Sequence, residues 1–220
     1  MFFNNNKMGE IWIVNFSNNS QQFIDEELLK NLPESIVNRA LRYLNKESFL
    51  SFITGRLLLK KAISESEYSS FLIENITYSD KGKPSFTNVN FSISHSNGYV
   101  VLIFGTVFQV GIDIEKRKDI DLKLFKYLFT DLEWSDIKED NNPLDRFYWY
   151  WVRKEALLKA VGCSLKEIKK LFVFEKHGIY NNERFYFEVF NFHSDYNGIV
   201  AMEKELFLKV RCVELEELLN

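Results

Sequence analysis

Two acidic residues in a short apolar segment are the first candidates for chemistry. Asp113 and Glu115 lie two positions apart in the sequence VGIDIE. Alternate side chains of a β-strand share a face, so we expect both carboxylates to point the same way while Ile112 and Ile114 pack on the other face. Two like charges about 5 Å apart repel by roughly 3 kcal/mol at an effective dielectric constant near 20. The repulsion would be offset by Mg²⁺, which binds carboxylates, waters and phosphates. The alternative is a solvated strand end neutralised by the basic run KRK that follows.

A third carboxylate occurs in the segment WVRKEALLK, which begins at Trp151. Glu155 and Lys159 are four residues apart, so on a helix they share a face. One interpretation makes Glu155 a third metal ligand or a general base, with Lys159 facing a phosphate. The alternative is an ordinary surface ion pair, which contributes ~0.3–0.5 kcal/mol.

Groups suited to phosphate oxygens cluster in two further motifs. Lys83 lies in the turn sequence GKP, which ends at Pro84, and Ser94 and His95 lie in ISHS at the end of a predicted strand. Hydroxyl, imidazole and exposed backbone N–H groups bind phosphate well, although a lone histidine is also common as a structural residue. The motifs GxSxG, GxxxxGK[ST] and GxGxxG are absent, which argues against a serine hydrolase and against the usual nucleotide-binding loops.

The elements that must position these residues alternate between strands and helices. Short apolar runs rich in β-forming residues predict strands at 10–16, 71–78, 90–94, 99–104, 107–115, 171–174, 185–190, 199–202 and 206–213, with alternation near the end of 107–115. Helical spacing predicts helices at 33–45, 46–63, 122–129, 131–139 and 143–161, and Gly and Pro predict a turn at 80–84. The prediction is an α+β fold of two lobes, residues 1–106 and 107–220, each a small, mostly antiparallel sheet packed with helices.

A faint internal repeat supports two similar lobes. The sequence LLK occurs at 58–60 and again 99 residues later at 157–159. The predicted strands IWIVNF and VGIDIE are also about 99 residues apart, and the pair HS recurs 98 residues after His95. The alternative is that these short apolar sequences match by chance. If the repeat is real, we expect the lobes to pack about a pseudo-twofold axis with a cleft at their interface. The counterpart of Glu155 is then Arg56, so only the second lobe would bind metal.

Composition excludes several classes of protein. The 220 residues include 28 Lys and Arg against 31 Asp and Glu, a net charge of −3, so a general nucleic-acid binder is not expected. The 2 cysteines, Cys163 and Cys212, have neither zinc-ligand spacing nor the density of a disulfide framework. The sequence shows no signal-peptide pattern, and its most apolar stretch, 99–112, is too short to cross a bilayer. We therefore expect a cytoplasmic protein without membrane association.

Taken in order, the motifs GKP, ISHS, GIDIE and W-x-x-K-E-x-x-x-K resemble those of the 4′-phosphopantetheinyl transferases, in particular the two-lobed Sfp type. The resemblance implies two similar α/β lobes with one active site at their junction. It also implies transfer of the phosphopantetheine arm of coenzyme A to a serine of an apo acyl or peptidyl carrier protein, with release of adenosine 3′,5′-bisphosphate. The implied cofactor is Mg²⁺, with Mn²⁺ as an alternative, and coenzyme A is the co-substrate.

By motif match, the resemblance assigns roles to individual residues. Asp113, Glu115 and Glu155 would hold the metal, and Glu155 would also deprotonate the attacking serine, directly or through a water. Lys159 would face the same phosphates. The residues implied in coenzyme A binding are Lys83, Pro84, Ser94, His95 and Lys159, with Arg56 and Arg39 from the first lobe. Arg42 is an alternative to Arg39, and both arginines are alternatively solvated helix charges.

Two other classes of function are compatible with parts of the sequence. A non-catalytic module that binds coenzyme A or a carrier protein would need the basic and loop residues but not the three carboxylates. A Mg²⁺-dependent pyrophosphate hydrolase would need the carboxylates but no carrier. The sequence does not identify the carrier protein or its docking surface, and a monomer is the simpler expectation because one chain contains both lobes.

Overall fold

The computed structural model describes residues 8–17 and 28–219, which form two compact units. The first seven residues, part of the segment without a signal-peptide pattern, lie outside the described residues. Unit 1 contains residues up to Tyr78, Pro84–Val107 and the C-terminal segment from Leu206, and unit 2 contains Ser79–Lys83 and Phe108–Glu205. Among the described residues, no helix combines the length and the apolar character needed to span a membrane.

Among the described residues, unit 1 has a six-stranded sheet and two complete α-helices, and residues 28–30 are also helical. Its strands are β1 (Met8–Asn15), β2 (Thr77–Tyr78), β3 (Pro84–Phe86), β4 (Val89–Ser96), β5 (Tyr99–Thr106) and β11 (Phe207–Val213), in the order β11-β1-β5-β4-β3-β2. The α-helices are α1 (Glu34–Ala40) and α2 (Lys46–Ser64), and Asn45 caps α2 by accepting a hydrogen bond from the Ser48 amide. Short 3-10 helices occur at Ile73–Asn75 and Leu215–Leu218. Trp12, Leu58 and Phe91 belong to the core between helix and sheet.

Unit 2 repeats this plan with five strands. They are β6 (Val110–Lys116), β7 (Phe172–Val173), β8 (His177–Tyr180), β9 (Glu183–Val189) and β10 (Tyr196–Met202), in the order β6-β10-β9-β8-β7. Its α-helices are α3 (Asp131–Glu139), which begins with a capping box between Thr130 and Glu133, and α4 (Pro143–Val161), which ends at left-handed Gly162. Short 3-10 helices occur at Leu122–Leu128 and Leu165–Lys170.

The internal repeat is confirmed at the level of topology and register. In each unit the first strand pairs with the last strand of a four-stranded meander. Ile13 pairs with Val101 in unit 1, and Ile112 pairs with Val200 in unit 2, so both partners are shifted by the same 99 positions. The repeated HS pair is not equivalent, because His95 lies in β4 whereas His193 follows the end of β9.

Most predicted elements are confirmed, and the bounds of α3 and α4 are those expected from the sequence. Three predictions differ from the structure. The strand at 71–78 is instead a 3-10 helix followed by the two-residue strand β2, the helix at 33–45 ends at Ala40, and the segment 122–129 is a 3-10 helix. The C-terminal strand β11 pairs in parallel with β1, so it belongs to unit 1 although it follows the Phe108–Glu205 segment of unit 2 in sequence.

Candidate active site

Strand β6 carries the predicted acidic pair on the face that meets α4. Asp113 is buried, with 2% of its surface exposed, and Glu115 is half-buried. Ile112 and Ile114 are fully buried. Both carboxylates contact side chains of α4, which confirms that the two acids share a face of the strand. A solvated strand end is therefore not what the structure shows at Asp113.

Helix α4 presents a stripe of residues at four-residue spacing to this acidic pair. Trp151 donates its indole N–H to Glu115, with 3.0 Å between Nε1 and Oε1. Two turns later, the Lys159 ammonium lies 2.7 Å from Asp113 Oδ1. Glu155 is between them on the same stripe because positions i, i+4 and i+8 of a helix lie above one another. The site thus has three carboxylates, one ammonium and one indole N–H on two packed elements.

The charge environment of Glu155 shows that the three carboxylates interact. The pKa of Glu155 is raised to about 7, mainly by burial and further by the negative charges of Asp113 and Glu115, while Lys159 lowers it. Repulsion of this kind is what a cation placed among the acids would relieve. A carboxyl group with a pKa near neutrality is also suited to proton transfer, because it is readily protonated and deprotonated at working pH.

The carboxylates fit a hard divalent cation in the chemistry of their donors, since Mg²⁺ prefers oxygen ligands. They do not form a ready-made cage: within residues 8–17 and 28–219, no group of three or more His, Cys, Asp or Glu side chains has the arrangement of a metal site. Asp113 is held by Lys159, and Glu115 is held by Trp151. Metal binding at these residues would therefore require their side chains to reorient towards one point.

A glycine lets the helix approach the strand closely enough for these contacts. Gly111 lies on β6 beneath α4, and a Cβ atom at this position would overlap the Ala156 carbonyl oxygen and the Ala160 nitrogen. Because the obstacle is helix backbone rather than a flexible side chain, any larger residue would push α4 away from β6. The spacing between the carboxylates and Lys159 therefore depends on Gly111.

Lys83 lies in unit 2 with its side chain engaged by backbone carbonyls. Its ammonium donates to the Val110 carbonyl oxygen, with 3.3 Å between the atoms, and to the Ala160 carbonyl oxygen at the end of α4. Burial lowers the pKa of Lys83 to about 8.

In unit 1, the two predicted arginines lie around one aromatic ring. The guanidinium carbons of Arg39 and Arg56 are 5.6 Å and 4.9 Å from the centre of the Phe52 ring, and Arg39 is also 4.7 Å from the Tyr78 ring. Burial lowers the pKa of Arg56, Tyr78 opposes this effect, and the positive charge of Arg39 adds to it. Two neighbouring guanidinium groups are suited to bind an anion, and the arrangement of their N–H donors matches the oxygens of a phosphate group.

The remaining predicted residues also lie in unit 1. Ser94 is buried and His95 is exposed, both near the end of β4, and Pro84 begins β3. Their roles in binding remain predictions.

Two residues of α4 have contacts that sequence reasoning did not predict, one in the site and one behind it. Trp151 is the hydrogen-bond donor to Glu115, and its place at the start of the motif was the available signal. Lys154 is fully buried, with its ammonium 2.7 Å and 2.8 Å from the two carboxylate oxygens of Glu133 and 3.1 Å from the Ile168 carbonyl oxygen. No sequence pattern indicated that the lysine of the KE pair points away from Glu155 and into the core.

Comparison with known proteins connects this site to one family. Residues 109–200 match the model of the 4′-phosphopantetheinyl transferase superfamily, a segment that contains the four residues Asp113, Glu115, Glu155 and Lys159. The chain is 34% identical over 131 residues to an L-aminoadipate-semialdehyde dehydrogenase-phosphopantetheinyl transferase of Rattus norvegicus, an alignment that covers 51% of this chain and 42% of the relative. The chain thus spans less than half the length of this relative.

Two bacterial proteins are similar over more of their length. The 4′-phosphopantetheinyl transferase gsp of Aneurinibacillus migulanus is 29% identical over 163 residues, which cover 72% of this chain and 68% of that protein. The 4′-phosphopantetheinyl transferase Sfp of Bacillus subtilis is 32% identical over 129 residues, which cover 56% and 57% of the two chains.

Proposed function

Because the chain belongs to the 4′-phosphopantetheinyl transferase superfamily, we propose that it transfers the phosphopantetheine arm of coenzyme A to a serine of an apo carrier protein. The observation that carries the proposal is the packing of α4 on β6. It brings the acids of the GIDIE and KE motifs and Lys159 together on one surface. The proposed products are the holo carrier protein and adenosine 3′,5′-bisphosphate. The proposed location is the cytoplasm, and the proposed state is a monomer.

The reaction requires one bond to form and one to break. The serine Oγ attacks the β-phosphorus of coenzyme A, and the bridging P–O bond to the α-phosphate breaks, leaving adenosine 3′,5′-bisphosphate. The serine proton goes to Glu155, directly or through a water. Lys159 would contact the phosphate oxygens and stabilise the charge that builds up on them.

Asp113, Glu115 and Glu155 would hold Mg²⁺ or Mn²⁺. When bound, the cation would neutralise the pyrophosphate and lower the barrier to departure of the nucleotide. The high pKa of Glu155, caused by burial and by the neighbouring acids, supports a cation as the missing opposite charge. Arg39 and Arg56 would supply positive charge to coenzyme A, and Ser94, His95 and Pro84 would contact it.

The test is a mass measurement on an apo carrier protein incubated with this protein, coenzyme A and Mg²⁺. The proposal predicts that one phosphopantetheine is added to the carrier, that adenosine 3′,5′-bisphosphate appears in equal amount, and that a chelator stops both. If this protein is folded and binds coenzyme A but every acyl and peptidyl carrier in a panel stays unmodified, the result would instead favour a non-catalytic binding module. Release of the nucleotide without any carrier would favour a pyrophosphate hydrolase.

A further inference from the structure

The loop of residues 79–83 ends in a lysine whose ammonium group binds backbone rather than other side chains. The loop closes on itself, because the Ser79 amide donates to the Lys83 carbonyl oxygen at 2.9 Å and the Ser79 hydroxyl accepts from the Lys83 amide at 3.0 Å. This turn fixes the direction in which the Lys83 side chain leaves the backbone. The side chain passes beside Gly162, where an added Cβ would lie 3.0 Å from Lys83 Cδ.

The two carbonyl groups bound by Lys83 come from different elements. The Val110 carbonyl lies at the first residue of β6, and the Ala160 carbonyl lies in the last turn of α4. Carbonyl groups in the last turn of a helix have no partner within the helix and form the negative end of its dipole. A lysine ammonium there satisfies one of them and interacts favourably with the helix dipole.

These two elements are the ones that carry the candidate site. Strand β6 holds Asp113 and Glu115, and α4 holds Glu155 and Lys159. Gly111, next to Val110, sets the distance between the two elements, and the Lys83 ammonium joins them at the same end. A displacement of the end of α4 would move Lys159 away from Asp113, because Lys159 directly precedes Ala160.

We propose that Lys83 is a positioning residue that joins the end of α4 to the start of β6 and so holds Lys159 against the acidic pair, rather than a residue whose ammonium binds coenzyme A. The proposal rests on the proposed transferase function for its link to catalysis but not for its structural content. The same loop provides a matched control. Lys81 forms an ion pair with Glu167, with 3.1 Å between Nζ and Oε2, and its side chain is 52% exposed.

Hydrogen exchange of the protein without ligand separates the two roles. Lys83→Met keeps the apolar stem but removes the donors, and we expect amide exchange to accelerate about tenfold or more in the last turn of α4 because its carbonyl loses a partner. Lys83→Arg restores the donors and should recover most of the protection. Lys81→Met should leave exchange in this turn unchanged. Unchanged exchange in Lys83→Met would overturn the proposal, because a ligand-binding lysine has no effect before the ligand is present.

If Lys83→Met does not fold, Lys83→Gln, which keeps one neutral donor, takes its place in the same measurement with the same expected and opposing results. Kinetics then test the link to catalysis. Loss of positioning predicts that kcat falls about tenfold with the KM for coenzyme A within about twofold, whereas loss of a substrate contact raises KM. A rise in KM alone would overturn the proposal. If no transfer activity is found in the parent protein, the proposed function fails, yet the exchange result still decides the role of Lys83.

Discussion

Trp151 on α4 donates its indole N–H to the carboxylate of Glu115 on β6, at a distance of 3.0 Å. This bond joins the two motifs whose carboxylates we propose as metal ligands. It holds Glu115 of β6 near Glu155, which lies on the same helix as Trp151. A buried indole N–H normally has a hydrogen-bond partner, and here the partner is a carboxylate of the candidate site. The indole therefore has a positioning role in the site as well as a packing role against Phe147, whose ring is stacked 6.2 Å away.

The first prediction concerns this indole donor. Trp151→Phe keeps most of the aromatic surface and removes the hydrogen bond, so we expect the affinity for Mg²⁺ in the presence of coenzyme A to fall about tenfold, as is common when a group that orients a metal ligand is lost. Titration calorimetry measures the affinity. Trp149→Phe on the same helix is the control. Equal affinities of the parent protein and Trp151→Phe would contradict the positioning role.

The second prediction concerns the contact of α4 with β6. Gly111→Ala places a methyl group against the backbone of Ala156 and Ala160, so we expect the free energy of unfolding to fall by about 3 kcal/mol, at the upper end of the cost of overpacking. Gly82→Ala is the comparison, because Gly82 has a φ of 85° with no atom within 4 Å of an added Cβ. That variant should lose only about 1 kcal/mol, from backbone strain. Denaturant unfolding measures both, and equal losses would contradict the close approach.

The third prediction concerns the buried ion pair behind the site. Lys154→Met leaves the Glu133 carboxylate without its ammonium partner, so we expect the free energy of unfolding to fall by about 3 kcal/mol. Coenzyme A affinity at a temperature where the variant is folded should be unchanged. Lys169→Met, an exposed lysine of the same unit, should have little effect on stability. A stable Lys154→Met protein that binds coenzyme A poorly would show that Lys154 contacts the ligand.

The fourth prediction is a pH dependence caused by Lys83. Burial lowers its pKa in the folded protein from 10.5 to about 8. Between these values the unfolded chain binds a proton that the folded protein does not, so stability falls as pH decreases from about 10.5 to about 8 and is constant below that window. At 1.36 kcal/mol for each pKa unit, the size is about 3 kcal/mol. The difference between the unfolding curves of the parent protein and Lys83→Met isolates this effect, and parallel curves would contradict it.

Local pattern was sufficient to predict much of the fold. The bounds of α3 and α4 and the alternation of β6 follow from patterns within a few neighbouring residues, and the structure confirms them. The partner of β11 was not predictable in this way, because an apolar period of two defines a strand but not the strand with which it pairs. The helix predicted over 33–45 fails after Ala40 because helical spacing alone does not set its end.

For the site, as for the fold, the sequence predicts what local strand and helix geometry determines. The shared face of Asp113 and Glu115 follows from strand geometry, and the pairing of Glu155 with Lys159 on one helix face follows from helix geometry. The bond between Lys159 and Asp113 spans 46 positions, and that between Lys83 and Ala160 spans 77. Contacts of this kind depend on the packing of α4 on β6, which no local pattern specifies. The same holds for the burial of Lys154.

The most direct test of the account is the mass of an apo carrier protein after incubation with coenzyme A, Mg²⁺ and either the parent protein or Glu155→Gln. The account predicts phosphopantetheine addition by the parent protein and a loss of at least about a hundredfold in rate for Glu155→Gln, since both a base and a metal ligand are removed. Glu139→Gln, at an exposed position of α3, should retain the parent rate. Transfer by Glu155→Gln at the parent rate would contradict the central claim that the acids on β6 and α4 form the active site.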